Sequence, residues 1–324
     1  MSTATTGLVT LFGHDPATYA AHPLHAGERT YTETNCYMDV VVELLHARGD
    51  EPRAALGATV RMDFEGDQWM FFKPQPEDLE RLFGIDIHEM QPYRPLPDQI
   101  AELIAAGRTL IVELDAWHLP DTAATSYRRE HVKTSIAAEA IDTEGERLRY
   151  FHNASLHELG GADYRGALRL GGPLSADVLP PYAEIVRFDA GPRLEGEALR
   201  AAALVALRRH LGRRPATNPF ERFGERLEAD MPALLEGEAA DFHAYAFATV
   251  RMAGAGFELC AEHVDWLLGA RGERACAALG QIVDGCKLLG FKLARRRPFD
   301  PQPALGALAA AWHTAMRELD DAVG

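Results

Sequence analysis

ERTYTETNCYMDVVVELLHARGDEP, residues 28–52, runs from a polar, turn-like segment straight into an amphipathic helix, with Asn35 and Cys36 at the junction. Met38, Val41, Val42 and Leu45 recur at helical intervals, and Gly49 supplies a C-terminal stop. A cysteine in the first turn of a helix feels the positive end of the backbone dipole, which favours thiolate over thiol. The plainer alternative is that Cys36 is a small buried hydrophobe, as an isolated cysteine usually is. The choice between these readings rests on what the rest of the chain places around the helix.

Around it the first half mixes short strands and helices. LVTLF is a short apolar run, and ATVRMDFEGDQWMFF reads as strand, glycine turn and strand. PEDLERLFGI starts a helix at Pro76 with acidic residues in its first turn, PDQIAELIAAG is a further helix, and TLIVELDAW suits a buried strand. HVKTSIAAEAIDTEGERLRYFHN predicts a hairpin about Asp142-Thr143-Glu144-Gly145, which brings His131 at the start of one arm toward Asn153 at the end of the other. After a Gly/Pro-rich passage over about residues 171–194, five Ala- and Leu-rich segments carry helical spacing to the C-terminus. The fold class expected is α+β: an N-terminal domain, residues 1–180, with a mixed or antiparallel sheet and a cysteine-bearing helix, then an α-helical bundle domain, residues 181–324.

The chain has 324 residues, 47% of them hydrophobic, enough for a substantial core without staples. Its four cysteines, Cys36, Cys260, Cys276 and Cys286, form no CxxC pair or framework spacing, which predicts a reducing, cytoplasmic setting. MSTATTGLVTLFGHDP lacks the features of a signal peptide, and no apolar run reaches the length of a membrane span, so a soluble protein is expected. A net charge of −15 argues against nucleic acid as partner. Two local basic runs stand against that balance: Arg208, Arg209, Arg213 and Arg214, and a cluster of Lys287, Lys292, Arg295, Arg296 and Arg297 that could dock an acidic partner.

Thiol catalysis needs a nucleophile, a base and a group that orients the base. Cys36, His131, and either Asn153 or Asp142 supply these in papain-like order, although Asp142 also suits a plain turn residue. Four histidines, His118, His131, His152 and His157, invite a zinc reading, but their spacing matches no metal motif and no metal is expected. GGPLSADVLPP and LGGADYRG lack the order of a phosphate-binding loop.

TNCYMDVVVELLHARGDEPRAALG, with DFEGDQWMFFK, VELDAWHLPDT and YRREHVKTSIAAEAID, resembles a bacterial family of unknown function of about this length. That family in turn resembles the N-terminal domain of the butirosin biosynthesis acyltransferase BtrH, a papain-like fold followed by a helical domain. The resemblance implies an acyltransferase that moves an aminoacyl group from a carrier-protein phosphopantetheine thioester, through a Cys36 acyl-enzyme, to an amine or other small acceptor. It implies Cys36 as nucleophile, His131 as base and Asn153 as orienting residue, with Asp142 in reserve. It further implies an acidic acyl or aminoacyl carrier protein as partner, no bound cofactor beyond the phosphopantetheine arm of the substrate, and a helical domain that covers the cleft. Thr30 stands where papain-like enzymes commonly carry an oxyanion-stabilising Gln, so Asn35, Thr32 and the Cys36 N–H are the candidate donors. Glu258, flanked by apolar residues in FELCAEHVDWL, is a candidate supporting carboxylate. A cysteine hydrolase with the same three residues, or a non-catalytic scaffold that holds a carrier protein, are the alternative readings, and the apolar helical domain is compatible with a homodimer.

Overall fold

The computed structural model describes residues 7–27, 29–170 and 179–324; residues 1–6 of the N-terminal stretch and 171–178 of the Gly/Pro-rich passage, including most of GGPLSADVLPP, lie outside the described residues. The class is α+β, with an antiparallel sheet and a helical C-terminal region. The chain divides into two compact units. One comprises residues 1–27, 36–52 and 79–193; the other comprises 28–35, 53–78 and 194–324.

The first unit is built on a seven-stranded sheet among the described residues. Its strands are β1 (Val9–Thr10), β4 (Asp86–Met90), β5 (Thr109–Asp115), β6 (Lys133–Asp142), β7 (Arg147–His152), β8 (Ser155–Gly160) and β9 (Ala183–Arg187). The order is β4-β9-β5-β6-β7-β8, with β1 on β6, and every pairing is antiparallel. The expected hairpin forms between β6 and β7, where Asp142 faces Arg147 and accepts from the Gly145 N–H at 2.7 Å. Three strands, β4, β8 and β9, escape the sequence reading. β8 follows the predicted hairpin in a segment to which the sequence assigned no element, and β9 lies inside the Gly/Pro-rich passage, so the compact unit extends to Arg193, past the expected boundary at residue 180.

Alternation along the strands sorts side chains to two faces. Leu110, Val112 and Leu114 of β5, Ile136 and Ala138 of β6, Leu148 and Tyr150 of β7 and Ala183 of β9 form one buried cluster. Leu96, Ile100 and Ile104 of α4 (Leu96–Ala105) and Tyr164 and Ala167 of α5 (Gly161–Ala167) complete it. The intervening residues Glu113, Asp115, Ala137, Glu139 and Glu184 therefore point to the other face. There lie the four-residue α1 (Pro23–Ala26) and the twelve-residue α2 (Cys36–Ala47), the latter packed on β6 and β7. Tyr37 anchors the start of α2 by donating to Glu184 of β9 at 2.5 Å. Beyond its end, Arg193 donates to Asp50 and to the Gly49 carbonyl, both at 2.7 Å. The helix thus runs in the same direction as β9 and begins at the end of the sheet where β5 finishes and β6 starts.

The second unit carries α6 (Gly196–Leu211), α7 (Pro219–Glu236), α8 (Ala239–Ala246), α9 (Met252–Leu268), α10 (Glu273–Ala294) and α11 (Gln302–Val323). α8 and α9 are joined by a π-helical turn, Phe247–Arg251, inside what reads in sequence as one helix. The segment expected to be two strands around Gly66 is a 3-10 helix, Pro52–Arg61, followed by the small hairpin of β2 (Phe64–Glu65) and β3 (Gln68–Trp69). The hairpin aromatics Phe64 and Trp69 pack against Phe220, Phe223 and Phe257, which seals it onto the helices. The short α3 (Pro76–Phe83) spans the division between the two units. No helix of the described residues is long and apolar enough to cross a membrane.

Candidate active site

Cys36 is the first residue of α2, half-buried, with a free thiol. His131 lies two residues before the start of β6, and its Nδ1 donates to Asp115 Oδ2 at 2.6 Å. Its ring stacks on Trp117 at 4.6 Å between centroids and 10° between planes, so the imidazole is fixed by a carboxylate at one edge and an indole over one face. Asp115 terminates β5 on the α2 face and also caps the following turn, accepting from the Trp117 N–H at 3.0 Å. Partial burial pushes its carboxyl pKa up, but the bonds from His131 and Trp117 outweigh this and hold it below the usual carboxylate value. The start of α2 and the Asp115–His131 pair thus share one end and one face of the sheet. Cys36 and His131 share no hydrogen bond, and the His131 Nε2 has no protein partner among the described residues.

The group on His131 is Asp115 and not either of the two residues expected from sequence. Asn153 occupies the two-residue turn between β7 and β8, with φ of 47°, and its side chain makes no hydrogen bond among the described residues. Asp142 lies at the opposite end of β6 from His131, where it binds the turn N–H of Gly145 and the Arg147 guanidinium at 3.1 Å. Sequence reasoning missed Asp115 because it belongs to a different strand. Its signal was an acid closing the apolar run TLIVELD just before an aromatic turn.

His152 is buried on the other face of the sheet. It donates to Asp121 at 2.5 Å and accepts from the Thr134 hydroxyl at 2.7 Å, while Tyr150 also donates to Asp121. This network ties the 120–122 turn to β6 and β7, with His157 Nε2 4.0 Å from Asp121, while His118 stands near enough to Asp115 and His131 to feel their charges and has its pKa lowered chiefly by burial.

The strap that leads to Cys36, residues 29–35, belongs to the second unit and is held there by two side chains. Glu258 of α9 accepts from the Thr30 N–H at 2.6 Å, the Tyr31 N–H at 3.0 Å and Arg29 Nε at 3.3 Å. Arg251 of the π-turn donates to Thr34 Oγ1 at 3.1 Å and approaches the Thr32 carbonyl at 3.5 Å. Tyr31 lies directly on Gly254, where an added Cβ would stand 2.2 Å from the ring. Asn35 is buried and donates its amide to the Phe72 carbonyl at 2.6 Å, which commits one of the expected oxyanion donors to the backbone. In the basic runs, Arg209 pairs with Asp78 and Glu77, Arg214 with Asp320, and Arg208 donates to the Val323 carbonyl. Lys292 sits 5.7 Å from the Phe299 ring, Arg296 donates to the Gly237 carbonyl, and Arg295 and Arg297 are exposed.

Residues 20–188 match the DUF1839 N-terminal domain and residues 196–321 the DUF1839 C-terminal domain. The chain belongs to the DUF1839 family. Its two family domains meet between residues 188 and 196, just beyond β9, which is where the sheet ends and α6 starts. Cys36, Asp115 and His131 all fall in the DUF1839 N-terminal domain, and Glu258 and Arg251 in the C-terminal one. A comparison with curated proteins found no match.

Proposed function

We propose that this protein is a papain-like cysteine acyltransferase that takes an aminoacyl group from a carrier-protein phosphopantetheine thioester and passes it to an amine. The observation that carries this reading is the 2.6 Å His131–Asp115 pair at the sheet end where the Cys36 helix begins. The likeness of the Cys36 segment to BtrH-type acyltransferases supports the choice of substrate. The orienting role expected of Asn153 passes to Asp115 in this reading.

The thiolate of Cys36 attacks the thioester carbonyl, the carbon–sulfur bond to pantetheine breaks, and the departing pantetheine sulfur takes its proton from the His131 imidazolium. An amine then attacks the Cys36 acyl-enzyme, His131 removes the amine proton, and Cys36 leaves as thiolate while the amide forms. Thioester exchange is close to balanced, and amide formation drives the second half. Asp115 fixes His131 with Nδ1 protonated, which leaves Nε2 to carry the proton between thiol and amine. The Cys36 N–H at the helix start supplies one oxyanion donor.

The test is pantetheine release from an aminoacyl-pantetheine thioester, followed with a thiol reagent in the presence and absence of a panel of amines. Amine-dependent release by wild type, lost in Cys36→Ala and His131→Ala, supports the transferase. Release at the same rate without amine makes the protein a hydrolase, and release unchanged in Cys36→Ala removes the proposal.

A further inference from the structure

A cavity of about 500 Å³ is lined by residues of the helical unit. Its wall includes the π-turn, which presents Phe247, Val250 and Arg251 to the opening, and π-turns are frequent at functional sites. Opposite them, α10 contributes Lys287, Gly290 and Phe291. Phe247 and Phe291 remain 45% and 61% exposed, a large apolar exposure that needs an occupant. The charge is equally one-sided. Among the described residues none that lines the cavity is acidic, although the chain as a whole carries a net charge of −15. Among the described residues the Lys287 ammonium makes no hydrogen bond or ion pair, and Arg251 uses Nε and one Nη on the strap, with no partner on Nη1. Gly290 leaves the floor open, because a Cβ there would meet only Val250, at an ordinary 3.7 Å.

We infer that this cavity binds a linear aliphatic chain that ends in an anionic head group, with the chain between Phe247 and Phe291 and the head on Lys287 and Arg251. Size, apolar walls and two cations among the lining residues are what a small amphipathic anion requires. Arg251 is at once a wall of this cavity and a tether of Thr32 and Thr34, so an occupant is bound beside the strap that leads to Cys36. The inference stands on the cavity alone and does not require Cys36 chemistry. The head is a carboxylate, as in a free aliphatic acid, or a phosphate, as in a phosphorylated lipid or acyl carrier arm.

Calorimetric titration of the full chain with dodecanoate, dodecyl phosphate and dodecylammonium, each below its micelle concentration, tests it. The expected result is saturable one-site binding of an anion, with dodecylammonium at least about tenfold weaker. The tighter anion identifies the head group. Lys287→Glu, at an exposed position, weakens the anion by about tenfold or more, and Gly290→Leu abolishes binding with the thermal melt of the protein retained. Absence of binding by both anions, equal binding of dodecylammonium, or wild-type affinity in Lys287→Glu overturns the proposal.

Discussion

His131 Nδ1 is held 2.6 Å from Asp115 Oδ2, across the junction between the end of β5 and the start of β6. The pair is made by strand register: Asp115 faces Lys133 in the ladder, and the chain just before Lys133 folds back far enough for His131 to reach the carboxylate. A carboxylate in this place selects one imidazole tautomer and stabilises the imidazolium when it forms.

Asp115→Asn keeps the side-chain volume but presents an amide to the imidazole, which favours the wrong tautomer. Acyl transfer should fall by about a hundredfold or more, whereas Asn153→Ala should change it by less than about threefold because Asn153 touches neither group. Steady-state kinetics on the two variants separates the two candidates for the orienting residue, and an equal loss in both would return Asn153 to that role.

The four thiols should differ sharply toward a small alkylating agent at neutral pH. Burial pushes Cys276 up to about 11 and Cys260 up to about 12, and raises Cys286 further. Cys36 is only half-buried and opens a helix. Peptide mapping after a brief exposure to iodoacetamide should find the label on Cys36 first, and preferential labelling of Cys276 would count against a reactive Cys36.

One carboxylate, Glu258, takes three of the hydrogen bonds that hold the strap. Glu258→Gln places an NH2 group against an N–H donor of Thr30 or Tyr31 and removes the charge beside Arg29. Denaturant unfolding should show a loss of about 1–3 kcal/mol. A change below about 0.5 kcal/mol would mean that the strap is held by other contacts.

Stability should also fall on the alkaline side through His25. Its buried ring donates to Glu43 at 2.5 Å and lies 3.1 Å from Asp39. Burial lowers its pKa, but the bonds it donates to Asp39 and Glu43, with their negative charge, outweigh this and raise it from 6.5 to about 9. A raised folded-state pKa gives stability that is complete below the unfolded value of about 6.5 and is lost as pH climbs through about 9. The advantage of wild type over His25→Gln, measured as melting temperature, should therefore be largest near the lower value and shrink toward the upper. A constant or growing difference would contradict the assignment.

Much of this fold was legible in local sequence. The β6–β7 hairpin followed from the Asp-Thr-Glu-Gly turn, α2 from its apolar spacing and Gly49, and the C-terminal helices from Ala/Leu periodicity. β9 was not, because its five residues are surrounded by Gly and Pro and are recruited to the sheet by pairing with β4 and β5, far away in sequence. The same non-locality hid Asp115: which residue faces the start of β6 is set by ladder register, and register leaves no mark in either strand alone. Cys36 and His131 were visible because each sits at an element boundary. Asp142 was visible for a different reason, the turn it closes, and that turn is where its hydrogen bonds go.

The most direct measurement is intact mass of wild type and Cys36→Ala after brief incubation with an aminoacylated carrier protein and no amine acceptor. A gain of one aminoacyl mass is expected on wild type, absent from Cys36→Ala and discharged by added amine. No gain on wild type, or the same gain on both proteins, would contradict a Cys36 acyl-enzyme.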